Sequence, residues 1–459
     1  MNPLTREEFQ DALKKGLGRA VRHVQNSPPE AVREDLLNAS LNCLVYDAQC
    51  EEGRAPWLMK MFQITGEPDF YRQPILKRLR ELADVEPRTG SDFWQRWHLA
   101  VEFALNKDQE ACDLVYEIFD KMIHDEAMRD CDALIRLDGI DGLLYVLAKI
   151  GQRIQDGFGF WDAKYDIEEV EEKFGKETVQ AAIERETGKN PLIRAYFERA
   201  GSDDPYFDYP FYLQVKMPPD LPLREWVDRI MEDDFSDFKD YGEGYPPYYC
   251  LIGRKSRLSQ ASRKAEEDEI NYAFEKLLET DHPMRQFCLL GAFFRHPMPR
   301  IEKKIFDFLD MDNVSLRWSA VIALSGTKHE AIRNKALESL QSDPPKSNWH
   351  YGFELLENNF QPGDQIVLEK AVQTREFSEI HELHSAGLSL GTLIDRYPGE
   401  SFRNLCCWFY DRTPCSRCRA DLVEHLVKHQ TISHEMIEEC RDDCDTHIQE
   451  LIEQLTSLP

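Results

Sequence analysis

An apolar period of 3.6 residues, carried by segments too short to stand alone, narrows the fold more than any other feature. In "DFWQRWHLAVEFAL", Phe93, Trp97, Ala100, Val101 and Ala104 fall at i, i+4, i+7, i+8 and i+11, one face of a helix. "PILKRLRELA" repeats the pattern with Ile75, Leu76, Leu79 and Leu82, and "ACDLVYEIFDKMI" with Leu114, Val115, Ile118, Phe119 and Met122. "GLLYVLAKIG" is apolar all round and reads as an interior helix. An isolated helix of about ten to sixteen residues is marginal in water, so each must seal its apolar stripe against a neighbour. Alternating strand patterns bounded by tight-turn signals are nearly absent. The expected class is all-α. Many brief helices with short connections, over 459 residues, suggest hairpins stacked side by side rather than one bundle.

The clearest unit is "PRIEKKIFDFLDMDNVSLRWSAVIALSGTKHEAIRNKALESL", residues 299–340. A first helix carries Ile301, Ile305, Phe308 and Leu309. "DMDN" breaks it, and Asp312 or Asn313 can cap the next helix. That helix carries Leu316, Ala320, Ala323 and Leu324, and Ser325-Gly326 ends it, glycine permitting a left-handed cap. "DNVSLRWSAVIAL" resembles the second-helix pattern of HEAT repeats, with Asp at the turn, then Val, Arg and alanines that let helices approach closely. "RDDCDTHIQELI" resembles a weaker copy. The resemblance covers 280–456. Over 1–155 only the helix-hairpin rhythm is shared. It implies an α-α superhelix of the armadillo-like solenoid class, whose members mostly bind other macromolecules along an extended surface.

The rhythm lapses in "GSDDPYFDYPFYLQVKMPPDLPL" and "MEDDFSDFKDYGEGYPPYYC", rich in Pro, Gly, Asp and Tyr. Residues 201–262 therefore read as an irregular insertion or junction between an N-terminal hairpin array, 1–200, and a HEAT-like C-terminal solenoid, 263–459. Long irregular stretches are often functional. Asp233, Asp234, Asp237, Asp240 and Glu243 cluster there with Phe235, Tyr245 and Tyr248. Aromatics supply contact area and acids supply complementarity to a basic partner, which makes this stretch the candidate partner-binding site. The competing reading is a junction core filled by the aromatics, with the acids solvated.

Charge sorts the function classes. The chain has 84 acidic against 56 basic side chains, a formal charge of -28. Nucleic-acid phosphates and anionic membrane surfaces both call for clustered Lys and Arg, so neither is an expected partner. A protein partner is, and the charge would favour a basic one. No apolar run reaches the ~20 residues that span a bilayer, and no leader-like segment opens the chain, so the sequence reads as cytoplasmic.

Catalytic and cofactor signatures are missing. "DGIDG" lacks the lysine of a phosphate loop and the spaced oxygens of a calcium loop, and reads as a turn before an interior helix. "IQDGFGFWD" contains no G-x-G-x-x-G, and "HEMIEEC" no H-E-x-x-H. "RTPCSRCRADLVEHL" is the one stretch that invites chemistry. Thr413 suits an N-cap and Pro414 the first helical position, placing Cys415, Cys418, Leu422 and Leu426 on one apolar stripe. Buried thiols behave as small hydrophobes. A zinc site would need Cys440 and Cys444, or His425, His429 or His434, and the cysteine spacing lies outside the common zinc patterns, with Asp442-Asp443 breaking the helix between the last pair. A redox dithiol would draw on the helix dipole, but its flanks lack a β-α context. No cofactor or metal is expected. The leading expectation is a protein-binding α-solenoid scaffold or adaptor with an acidic surface and no catalysis. The alternatives are an enzyme or nucleic-acid-acting HEAT-like protein, glycosylase-like or lyase-like, and an acidic inhibitor of a basic protein.

Overall fold

The computed structural model describes residues 3–47, 53–84, 90–123, 131–158, 162–201, 221–235, 251–342, 348–398 and 402–457. Every regular element among them is helical, and no strand occurs. They divide into two units.

Unit 1 comprises Met1–Lys216, Pro414–Ala420 and Ile432–Pro459. Its first twelve helices are α1 (Arg6–Lys15), α2 (Gly18–Gln25), α3 (Pro29–Leu41), α4 (Arg54–Thr65), α5 (Pro68–Ala83), α6 (Ser91–Leu105), α7 (Gln109–Met122), α8 (Asp132–Asp138), α9 (Ile140–Gln155), α10 (Lys164–Phe174), α11 (Lys176–Thr187) and α12 (Pro191–Ala200). Their ends are coded locally. Thr5 and Glu8 close a capping box on α1, and Gly16, at φ 74°, ends it in the left-handed region. Asp108 accepts from Ala111 N at the start of α7. Each helix from α1 to α6 packs on the next but one, α1 on α3, α2 on α4, and so on to α6 on α8. Beyond that run α9 lies along α12. The stripe residues read from sequence, Trp97, Ala100, Val101, Ile75 and Leu79, are all fully enclosed. Phe62 stacks on Tyr71 at 4.2 Å between ring centroids, joining α4 to α5. Burying such a side chain stabilises by about 1.5–3 kcal/mol.

Unit 2 comprises Met217–Thr413 and Asp421–Thr431. It holds α13 (Leu223–Glu232), α14 (Ile252–Ser262), α15 (Glu267–Glu279), α16 (Pro283–Leu290), α17 (Lys303–Asp307), α18 (Val314–Ser325), α19 (Glu330–Gln341), α20 (Tyr351–Leu356), α21 (Asp364–Thr374), α22 (Ile380–Arg396) and α23 (Arg403–Arg412). Here too contacts run to the next helix but one: α14, α16, α18, α20 and α22 pack in succession, as do α19, α21 and α23. The chain ends with α24 (Ser416–Lys428), α25 (His434–Cys440) and α26 (Thr446–Ser457). Within unit 1, α25 packs on α2, and α26 on α25.

Several expectations need correction. The 201–262 stretch is not irregular throughout: α13 and α14 form inside it, α13 burying Leu223, Val227 and Ile230 at helical spacing. The first helix of the 299–340 unit is short, because Ile301 precedes α17 and Phe308–Asp310 tightens into a 3-10 turn. Asn313 does cap α18 by accepting from Leu316 N, but Gly326 ends that helix at φ -68°, so no left-handed cap is used. Thr413 terminates α23, its N–H donating to Phe409 O at 2.7 Å, and α24 begins at Ser416 with the Cys415 carbonyl accepting from Arg419 N.

Candidate functional site

Of the seven partner-binding candidates, Asp237, Asp240, Glu243, Tyr245 and Tyr248 lie outside the described residues. Asp233 and Asp234 follow directly after α13. The Asp233 carboxylate pairs with Arg254 of α14 and accepts from Phe235 N at 2.9 Å. The backbone carbonyl of Asp233 accepts from Arg285 at 3.1 Å. That arrangement holds Phe235 at φ 54°, a conformation uncommon for a side chain of this size. The Phe235 ring then stacks on His282 at 5.3 Å, with the Arg254 guanidinium 5.5 Å from its centroid. Asp233 and Phe235 thus form a latch that ends α13 against α14 and α16, while Asp234 is exposed.

Cys415, Cys418, Cys440 and Cys444 are all buried thiols. The sulfurs of Cys415 and Cys418 lie within 4.8 Å of each other, and Cys440 and Cys444 stand apart from that pair. Cys440 closes α25 and Cys444 sits in the break before α26, as the Asp442-Asp443 pair implied. The dominant polar feature here is one that sequence reading missed. Arg419 and Asp443, both wholly shielded from solvent, pair at 2.9 Å, and the same Arg419 nitrogen lies 3.9 Å from Cys444 Sγ. Around it the C-terminal segment seats on the first helices of unit 1. Cys444 N donates to Gly16 O at 2.9 Å, Trp57 Nε1 to Asp442 O at 2.8 Å, and Arg19 to Glu439 at 2.6 Å. In unit 2, the His425 and His429 rings lie 4.3 Å apart, and burial holds His425 well below the usual histidine range, at about 4. His434 opens α25.

A cavity of about 530 Å³ opens at the end of α3, between α5 and α6. Leu41, Pro74, Leu82 and Phe93 supply apolar wall, and Lys77, Arg78, Glu81, Asp92 and Arg96 the charges. Pro74, inside α5, has no N–H and adds only hydrocarbon surface. Arg96 is 4 % exposed. Its Nη2 donates to the Leu41 carbonyl and lies 3.5 Å from Asp92 Oδ2, while its Nε–H meets no acceptor among the described residues. Burial, opposed by Asp92, holds its pKa below the usual arginine value. Arg78 pairs with Glu81 at 2.7 Å, and Asp92 Oδ1 accepts from Cys43 N at 2.6 Å. Lys77 is exposed and makes no ion pair among the described residues. The one sequence trace of this site is the run Lys77-Arg78, whose composition is that of any solvated helix face.

Unit 2 contains a second unforeseen cluster. Glu354 of α20 is enclosed, and neither carboxyl oxygen meets a partner from another residue. Burial pushes its pKa up to about 8 and raises that of Glu357 as well. His350, just before α20, is held neutral by burial, with Nδ1 3.8 Å from Glu382. Comparison with family models, with curated proteins and with solved structures found no match for the chain.

Proposed function

We propose that the chain is an α-solenoid of HEAT-like hairpins that works as a protein-binding scaffold or adaptor, holding a basic protein partner without chemistry of its own. The observation that carries this reading is packing on the next helix but one, found for every helix over α1–α8 in unit 1 and along α14, α16, α18, α20 and α22 in unit 2. Such a ladder buries each short helix against its neighbours in the layer and leaves the outer faces free for recognition. The formal charge of -28 supplies long-range attraction for a cationic surface and repels phosphate backbones. The acidic stretch after α13 is the proposed contact, with Asp234 as its described member and Asp237, Asp240 and Glu243 continuing it in sequence.

The test is affinity capture on the full chain from its native cell, with identification and stoichiometry of what co-purifies. A single basic protein should be held at about 50 mM salt and released at about 300 mM, as screening shortens the reach of exposed charge. The variant carrying Asp234→Lys, Asp237→Lys, Asp240→Lys and Glu243→Lys should fail to hold it. Capture that ignores both salt and these substitutions would overturn the proposal.

A further inference from the structure

We propose that the cavity bounded by α3, α5 and α6 binds the carboxylate of an apolar ligand, Arg96 and Lys77 taking the head and Leu41, Pro74, Leu82 and Phe93 the body. This goes beyond the scaffold reading and rests on different residues.

Three facts drive it. First, Arg96 is buried yet under-used: among the described residues only its Nη2 is engaged, by a carbonyl and by a carboxylate at 3.5 Å. A shielded guanidinium with idle N–H groups is costly, and a planar carboxylate matches its fork. Second, the charges lining the cavity do not cancel. Among the described residues lining it, Lys77, Arg78 and Arg96 face Glu81 and Asp92, leaving one positive charge in a chain of net -28. One surplus charge suits a monoanion, which selects a carboxylate over a phosphate dianion. Third, Leu41, Pro74, Leu82 and Phe93 give the described wall, beside Asn42 and Gly90, a hydrocarbon part, and about 530 Å³ falls within the size range of small-molecule sites. A bare inorganic anion would leave that surface wet. A carboxylate carried on an alkyl or aromatic body satisfies both parts. Such a group can be a fatty acid or the C-terminus of a peptide ending in an apolar residue.

Titration calorimetry on the full chain tests this with two matched pairs. Decanoate is compared with decanol, and a peptide ending Ala-Leu-Phe as the free acid with the same peptide amidated. At least one acid should bind, and its uncharged counterpart should bind at least about tenfold more weakly, the loss expected for one charge-assisted contact. The tighter acid identifies the source. Arg96→Gln should weaken binding at least about tenfold and Lys77→Ala about threefold. Because Arg96 also anchors the Leu41 carbonyl, Leu82→Trp serves as an independent variant: Leu82 is half-buried, and the indole should fill the cavity and abolish binding in a chain whose thermal melt is unchanged. Failure of both acids to bind at millimolar concentration, equal binding of decanol and decanoate, or wild-type binding by a folded Leu82→Trp chain would overturn the proposal.

Discussion

Glu354 stays protonated at neutral pH because burial outweighs the one backbone hydrogen bond to its carboxyl, and no other described residue offers a partner. Its folded pKa, about 8, lies above the ordinary 4.5, so the folded state holds a proton that the unfolded chain gives up. The stability linked to that proton is complete below pH 4.5 and is lost as pH rises toward 8, by about 1.4 kcal/mol per pH unit for one proton. His350 acts in the opposite sense. Burial lowers its pKa from 6.5, so its contribution is lost as pH falls below that value. Above pH 6.5 the His350 slope fades while the Glu354 slope continues, and Glu357, its pKa raised by burial, acts in the same direction as Glu354. Chemical denaturation at pH 6.5 and pH 8 should therefore show the wild-type chain losing stability and Glu354→Gln losing much less. Equal slopes for the two chains would refute the assignment. Thr413 makes a smaller residue-scale case: its buried hydroxyl has no partner among the described residues, so Thr413→Val should be neutral or stabilising by up to about 1 kcal/mol in thermal melts. Neither site was legible in sequence. Glu354 lies in "YGFELLENN" among other acids, and it is the packing of α20 against α18, α19 and α22 that encloses it.

At the scale of elements, helices with a clean apolar stripe were readable, and the Pro- and Asp-rich surroundings hid one that was equally regular. Leu223, Val227 and Ile230 of α13 keep the helical interval, but the prolines before them and the acids after them read as loop. The start of α24 was misplaced because Thr413-Pro414 is a good local capping signal that the end of α23 uses differently. Glycine separates local from tertiary demands. Gly391 lies inside α22 with open space where a Cβ would go, so Gly391→Ala should raise stability by about 0.5–1 kcal/mol. Gly16 and Gly66 share a left-handed φ, 74° and 70°, but differ in surroundings. A Cβ on Gly66 meets nothing within 4 Å, whereas one on Gly16 would sit 2.0 Å from Cys444 Sγ. Gly66→Ala should cost about 1–2 kcal/mol of backbone strain alone. Gly16→Ala should cost that plus about 1–3 kcal/mol of overpacking. Equal losses in parallel melts would mean that the Cys444 contact carries no weight.

For the whole molecule, the all-α class follows from periodicity, because the 3.6-residue stripe is a local property of each segment. The partnership between the last helices and the first has no local signature. Arg19 and Glu439, or Trp57 and Asp442, are separated by nearly the whole chain and look like ordinary surface residues in sequence. The buried Arg419–Asp443 pair anchors that partnership. Asp443→Asn should cost about 3–5 kcal/mol, since it leaves a guanidinium enclosed without its counter-charge. The double change Arg419→Met with Asp443→Leu should be milder than Asp443→Asn, because it removes both charges. Truncation after residue 431 tests the same partnership at full size. It uncovers the faces of α1, α2 and α4 that receive Gly16–Cys444, Arg19–Glu439 and Trp57–Asp442, and unit 2 contains none of the deleted residues. Hydrogen exchange on the truncated chain should show α1, α2 and α4 losing protection by a large factor while α15 to α22 keep theirs, as local opening follows the contacts removed. Protection retained in α1 and α2 would show that the last segment adds nothing to unit 1, and loss spread evenly through α15 to α22 would show that the two units do not unfold separately.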